Sequence, residues 1–283
     1  MNTNANKEQS ALWNGPSGAA WVNQQALLDA SFVNFETLLV EQVARTRARR
    51  VLDVGCGSGA TTLAIARHLG ASGTALGIDI SAPLVELARQ RAAHESVNAQ
   101  FLLADAQTHA FADAEFDLAV SRFGVMFFED PVAAFANLRG ALRPGGGLRA
   151  IAFRAASENP FMTTAERAAA PLLPNLPARQ PDAPGQFAFA NRARVESILA
   201  AAGWSEIGLA PIDVPCAFPA RELTNYFTRL GPVAFVLRDA DDATRARVIE
   251  SVRNAFAPFV QGDEVRFIAA CWMIGATAAP TAR

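Results

Sequence analysis

The chain predicts an α/β fold, a mostly parallel sheet with helices on both faces and helical cap insertions. Three observations carry that expectation. Between 51 and 153, short apolar runs alternate with amphipathic stretches, the rhythm of βαβ units, whose crossovers build parallel sheets. The first apolar run, Val51-Leu52-Asp53-Val54, passes straight into Gly55-Cys56-Gly57-Ser58-Gly59. A strand, a glycine turn and a helix start put bare backbone and free N–H groups beside a ligand. The rhythm then breaks twice, over 155–190 and 219–262, and resumes after each break.

The elements follow in order. Segment 1–47 reads as an N-terminal helical cap, helical from about 13 to 45, where Leu27, Leu28, Phe32, Phe35, Leu38 and Leu39 recur at i, i+3 and i+4 steps. The polar residues before it lack the apolar run of a signal peptide and read as a disordered tail. Segment 48–154 is the ligand-binding core, with strands over 51–54, 74–78, 101–103, 116–121 and 148–153. Its helices cover 61–69 and 82–93, the second with Ser81 as N-cap. A third is announced by Asp130-Pro131, a cap followed by proline at the first helical position, with Val132, Phe135, Leu138 and Leu142 on its apolar face. Segment 155–190 holds many prolines and reads as a loop-rich insertion. The core continues over 191–218 with a helix closed by Gly203 and a strand over 207–218. Two or three helices fill the cap insertion 219–262, and 263–278 holds the last core strand.

Composition removes several functions. A net charge of −2 argues against a large basic surface, so no nucleic acid is expected as partner. No run approaches the 18 apolar residues of a spanning helix, so no membrane is expected either. Lys7 is the only lysine among the 25 basic residues, which removes Schiff-base chemistry and the P-loop lysine. Cys56, Cys216 and Cys271 have neither metal-ligand spacing nor an even count. They point to a reduced, cytoplasmic protein with no metal site.

The glycine turn alone leaves the ligand open. Gly55, Gly57 and Ala60 also fit the dinucleotide fingerprint, and Asp79 is placed to serve a ribose in either case. A nicotinamide-dependent oxidoreductase and a merely connecting turn both satisfy it. Further features narrow the choice: Asp53 at the end of the first strand, Ala104-Asp105-Ala106 after the third, and Leu142-Arg143-Pro144-Gly145-Gly146 before the fifth. With Leu52-Asp53-Val54-Gly55-Cys56-Gly57-Ser58-Gly59 and Gly77-Ile78-Asp79-Ile80, these segments resemble the class I S-adenosylmethionine-dependent methyltransferases. Trp13-Asn14-Gly15-Pro16-Ser17-Gly18-Ala19-Ala20-Trp21 and Ser121-Arg122-Phe123-Gly124-Val125-Met126-Phe127-Phe128 look like bacterial small-molecule members related to the ubiquinone and menaquinone biosynthesis group. The C-terminal third matches only loosely.

The resemblance implies a Rossmann-like seven-stranded sheet whose last strand lies antiparallel between its neighbours. It implies S-adenosylmethionine as cofactor, with Asp53, Gly55, Gly57, Gly59, Asp79, Ile80, Asp105, Ala106 and Ser121 around it. Asp79 would take both ribose hydroxyls and Asp105 the adenine amino group. Methyl transfer needs proximity and orientation first, and a base only where the nucleophile holds a high-pKa proton. His68 and His94 fall on solvated helical positions, which leaves His109, Arg122 and Tyr226 as weak catalytic candidates. Trp21, Phe123, Met126, Phe127 and Tyr226, with Phe161, Phe187 and Phe189 behind them, argue for a compact, apolar or aromatic small-molecule acceptor. Arg122 suits a substrate carboxylate or phenolate, or a structural salt bridge. A non-catalytic S-adenosylmethionine-binding protein is the remaining alternative, and a homodimer is compatible with either reading.

Overall fold

The computed structural model describes residues 6–180 and 182–279. Eight strands form one sheet among these residues: β1 (Arg50–Val54), β2 (Thr74–Asp79), β3 (Ala99–Leu103), β4 (Phe116–Arg122), β5 (Leu142–Phe153), β6 (Trp204–Pro219), β7 (Val260–Gln261) and β8 (Glu264–Ala278). Their order is β3-β2-β1-β4-β5-β8-β6, with β7 paired to β8. The first five strands pair in parallel, and β8 runs antiparallel to both β5 and β6. This is the expected sheet with one addition. The two residues of β7 turn at Gly262, in the left-handed region at φ 64°, and are too few to show a period.

Eleven helices accompany the sheet among the described residues: α1 (Lys7–Asn14), α2 (Pro16–Asn23), α3 (Gln25–Thr46), α4 (Ala60–Leu69), α5 (Ala82–Glu95), α6 (Pro131–Ala141), α7 (Pro160–Ala169), α8 (Arg192–Ala201), α9 (Leu223–Arg229), α10 (Gly231–Leu237) and α11 (Asp242–Ala255). Strand order reverses between β1 and β4. Right-handed crossovers therefore carry α4 and α5 to one face and α6 to the other, where α8 packs against it.

Four expectations change. The N-terminal helical stretch is three helices, because Pro16 has no N–H to donate and disfavours helical backbone at Gly15, which lies at φ −100°, ψ −147°. The residues read as a tail contain α1, which starts at Lys7; residues 1–5 lie outside the described residues. Pro160, counted among the loop-forming prolines, occupies the first turn of α7, where its missing N–H is harmless. Leu142 leaves the face of α6 and opens β5.

The two predicted caps divide. The Asp130 side chain accepts from the Ala133 N–H at 3.0 Å, and Asp130→Ala should lower stability by about 1 kcal/mol in denaturant unfolding. Ser81 stands at the cap of α5 but makes no capping bond. Its hydroxyl donates to the Trp13 carbonyl at 2.7 Å, tying α1 down onto the sheet edge.

Candidate functional site

An open α/β sheet binds ligands beyond its strand ends where strand order reverses. Here that point lies between β1 and β4, and a solvent-open cleft occupies it. Its floor is Val54, Gly55, Gly57, Ile78, Asp79 and Ile80, flanked by Ala104 to Ala106 and by Arg122 to Gly124. Asn6, Gln9, Trp13 and Trp21 line it from the N-terminal helices.

The floor exists because two backbones nearly touch. A Cβ on Gly55 would stand 2.6 Å from the Gly124 Cα, and a Cβ on Gly124 would stand 2.5 Å from the Val54 carbonyl oxygen. Gly55 and Gly57 also lie at φ 68° and 55°, a region that favours glycine. The buried Ser121 hydroxyl locks this contact. It donates to the Val54 carbonyl at 2.7 Å and accepts from the Gly124 and Val125 N–H groups at 3.1 and 3.2 Å. Phe123 between them is held in the left-handed region at φ 69°, uncommon for a bulky side chain. Its ring stacks on Phe153 at 4.4 Å.

Asp79 accepts the Gly57 N–H through Oδ2 at 2.8 Å and the Ser81 N–H through Oδ1 at 2.9 Å. Burial raises its pKa, and these N–H groups work against the rise. Asp53 lies under the turn, 1 % exposed. Thr62 donates to its Oδ2 at 2.6 Å, while Oδ1 is buried without a partner. Burial pushes this carboxyl up to about 6, with the Thr62 hydroxyl opposing. The folded state then holds a proton that the unfolded chain has released, so stability falls as pH rises from about 4 to 6, on the order of 3 kcal/mol at most. Asp53→Asn should flatten unfolding free energy across that window.

At the far end, Asp105 accepts the Gln107 N–H at 2.9 Å and the Asn6 side-chain amide at 2.8 Å. Asn6 is 3 % exposed, and its amide oxygen accepts the Glu129 N–H at 3.1 Å. The carboxamide thus presents a donor and an acceptor side by side to the two elements that wall this end. Above it, the Trp13 ring meets Trp21 and Phe127 edge-on at 5.5 and 5.3 Å.

Residues 51–146, which build this floor, match the family described as "Methyltransferase domain". This segment is a class I, S-adenosylmethionine-dependent methyltransferase domain. Aklanonic acid methyltransferase DauC of Streptomyces sp. (strain C5) is 36 % identical over 109 residues, 38 % of this chain and 50 % of DauC. Demethylmenaquinone methyltransferase of Lactiplantibacillus plantarum is 36 % identical over 100 residues, 35 % of this chain and 42 % of that enzyme. The chain thus spans half or less of the length of these curated relatives. Among solved structures, the YcgJ protein of Bacillus subtilis aligns with a TM-score of 0.55 at 19 % identity, covering 87 % of this chain and 98 % of that one. The [4+2]-cyclase SpnF aligns at 0.51 and 19 % identity, covering 86 % and 80 %. At that identity the likeness is one of fold.

On the methyltransferase domain the cleft brings together Gly55, Gly57, Asp79, Ile80, Asp105, Ala106, Arg122, Phe123 and Phe127, with Trp21 from α2. Asp53 and Ser121 lie beneath it, and Gly59 caps α4 at φ 87°, facing Phe101 and Ala88. Met126 is buried outside the cleft wall. The His109 ring packs on Phe111 at 4.7 Å, off that wall. Tyr226 is remote from it, among Phe161, Phe218 and Phe256, with its hydroxyl against the Met162 sulfur. Phe161 stacks on Phe267 at 3.8 Å, Phe187 packs on Phe153, and Phe189 on Phe135. Phe161 and Phe189 are core, and Tyr226 and Phe187 pack against it, as most apolar side chains do.

Asn6, Gln9, Leu84, Gly124 and Phe128 complete the wall. Gly124 stood in a quoted motif, but its role depends on β1 and β4 being neighbours. Asn6 carries no sequence signal.

Among the described residues no helix is long and apolar enough to cross a membrane. No three His, Cys, Asp or Glu side chains among them come together to hold a metal.

Proposed function

We propose that the whole chain transfers a methyl group from S-adenosylmethionine to an O, N, S or C atom of a small, largely apolar or aromatic acceptor. The observation that carries this reading is the cleft of the methyltransferase domain. Two carboxylates, Asp79 and Asp105, line it, and bare glycine backbone lies between the strands. Each Asp79 oxygen takes one backbone N–H, and a carboxylate has about four acceptor positions, so capacity is left for two ribose hydroxyls. Asp105 suits the adenine amino group, with the Ala106 N–H beside the ring. Adenine presents an amino donor next to a ring-nitrogen acceptor, the pairing that the Asn6 carboxamide now makes.

The bound sulfonium supplies an activated methyl and a neutral thioether leaving group. The protein's part is to bind, orient and exclude water. Gly55 and Gly57 admit the ligand to van der Waals distance of the backbone, and Trp13, Trp21, Phe123 and Phe127 offer apolar surface to an acceptor. His109 and Tyr226 lie off the wall, so proximity and orientation, worth several kcal/mol, carry the reaction in this reading. Two relatives named for aklanonic acid and demethylmenaquinone support a small-molecule acceptor of this kind. Three unpaired, buried cysteines suit action in a reducing cytoplasm.

Calorimetric titration with S-adenosylmethionine, S-adenosylhomocysteine and NADH tests the reading. Micromolar binding of the first two and none of NADH is the expected result; binding of NADH alone would overturn it. Asn6→Ala should bind S-adenosylhomocysteine more tightly than wild type, by about tenfold or more, because a hydrogen bond to a charged group, about 1.5–3 kcal/mol, no longer has to be broken. Weaker binding by that variant would show that Asn6 assists the ligand instead of yielding to it.

A further inference from the structure

Arg122 ends β4 with its side chain on the cleft wall. Among the described residues its guanidinium makes no hydrogen bond and no ion pair, and Nη1 is buried without a partner. The salt bridge that would give it a structural role is not formed. Its nearest carboxylates are otherwise engaged or act at range. Asp29 on α3 accepts from Arg91 at 2.8 Å, and Asp53 accepts from Thr62. Glu36, also on α3, acts on Arg122 through space, and burial raises its own pKa.

Burial works against the charge on Arg122, while Asp29, Asp53 and Glu36 support it. Arginine does not give up its proton in proteins, so the group stays a cation with five unused N–H donors. A half-buried cation with one nitrogen sealed from solvent and unpartnered is costly unless a counter-ion arrives with good geometry. The guanidinium fork matches a carboxylate through two parallel bonds. Arg122 lies two residues before Gly124, whose backbone abuts Gly55, and β1 and β2 separate its strand from β3, which Asp105 follows. That places Arg122 on the glycine-turn side of the cleft, away from Asp105.

We propose that Arg122 is the cleft's carboxylate anchor, a recognition residue that pairs with a carboxylate carried in by the ligand. The inference rests on the methyl-transfer reading above, which supplies two sources: the α-carboxylate on the methionine half of the cofactor, or a carboxylate on the acceptor.

The experiment titrates wild type, Arg122→Met and Arg122→Lys with S-adenosylhomocysteine and with its decarboxylated counterpart, which keeps the ammonium group. It then titrates the S-adenosylhomocysteine complexes with salicylate and with salicyl alcohol. Thermal melts check that each variant is folded. Wild type should prefer one carboxylate-bearing probe over its partner lacking the carboxylate by about tenfold or more. Arg122→Met should erase that preference, and Arg122→Lys should restore part of it. Loss confined to S-adenosylhomocysteine assigns the anchor to the cofactor; loss confined to salicylate assigns it to the acceptor. If wild type shows no preference in either pair, or folded Arg122→Met keeps it, the proposal is overturned. The wild-type comparison stands even where a variant does not fold. Failure of wild type to bind S-adenosylhomocysteine at all strikes the methyl-transfer reading instead.

Discussion

Gly124→Ala is expected to lower stability by about 2–4 kcal/mol and to weaken S-adenosylhomocysteine binding beyond calorimetric reach. The added methyl would stand 2.5 Å from the Val54 carbonyl oxygen, 2.7 Å from the Gly55 Cα and 3.1 Å from the Ser121 Oγ. Two of these neighbours are backbone and cannot rotate away. Val54 is paired with Ile78 within the sheet, and the Gly55 N–H donates to the Ile78 carbonyl at 2.9 Å. Relief requires β4 to move off β1, which widens the cleft floor and breaks the Ser121 bonds. Overpacking of this kind costs about 1–3 kcal/mol, and lost buried hydrogen bonds add to it. Gly140, inside α6 with nothing within 4 Å of its Cβ position, is the control. Gly140→Ala should be neutral or stabilising by up to about 1 kcal/mol, the helix-propensity difference. If denaturant unfolding gives both variants the same stability, the backbone contact is not what shapes the floor.

The second large effect is at Asp79. Asp79→Ala should weaken S-adenosylhomocysteine binding by about tenfold to a hundredfold, the range for a hydrogen bond to a charged group. The upper end is expected, because the same carboxylate holds the Gly57 and Ser81 N–H groups and so fixes the turn. Asp79→Asn should fall between, retaining one acceptor oxygen but turning an N–H₂ toward a backbone donor. The acceptor form is the ionised one, and burial raises this group's pKa. Affinity should therefore fall as pH drops through the raised pKa, and this acid limb should be missing from the Asp79→Ala titration. Near-normal affinity in the alanine variant would remove Asp79 from the site.

Both residues bear on what could be read in advance. The place of Asp79 on the cleft was legible because it closes the strand that follows the glycine turn and its helix, and the β1 turn announced itself through Gly55 and Gly57. The break at Gly15-Pro16 was equally open to reading, but the apolar spacing of α3 drew the eye across it. Gly124 and Asn6 belong to another kind. Their meaning comes from partners that only the folded sheet brings near, Gly55 in one case and Asp105 in the other. Aromatic content misled for the opposite reason: Tyr226 and Phe161 look like ligand-facing residues until β6 and β8 fold over them as core. Periodicity reports which face a residue takes, and says nothing of which distant segment meets that face.

The solitude of Lys7 excludes lysine-dependent chemistries and also isolates a chemical handle. It is the chain's single side-chain amine, exposed at the first position of α1 and next in sequence to the buried Asn6. Amine-directed labelling of the native sequence therefore marks one side chain, beside the cleft-lining Asn6. With the more acidic α-amine blocked, a fluorophore there would test whether ligand releases Asn6 from Asp105, with no cysteine introduced and no residue of the floor disturbed.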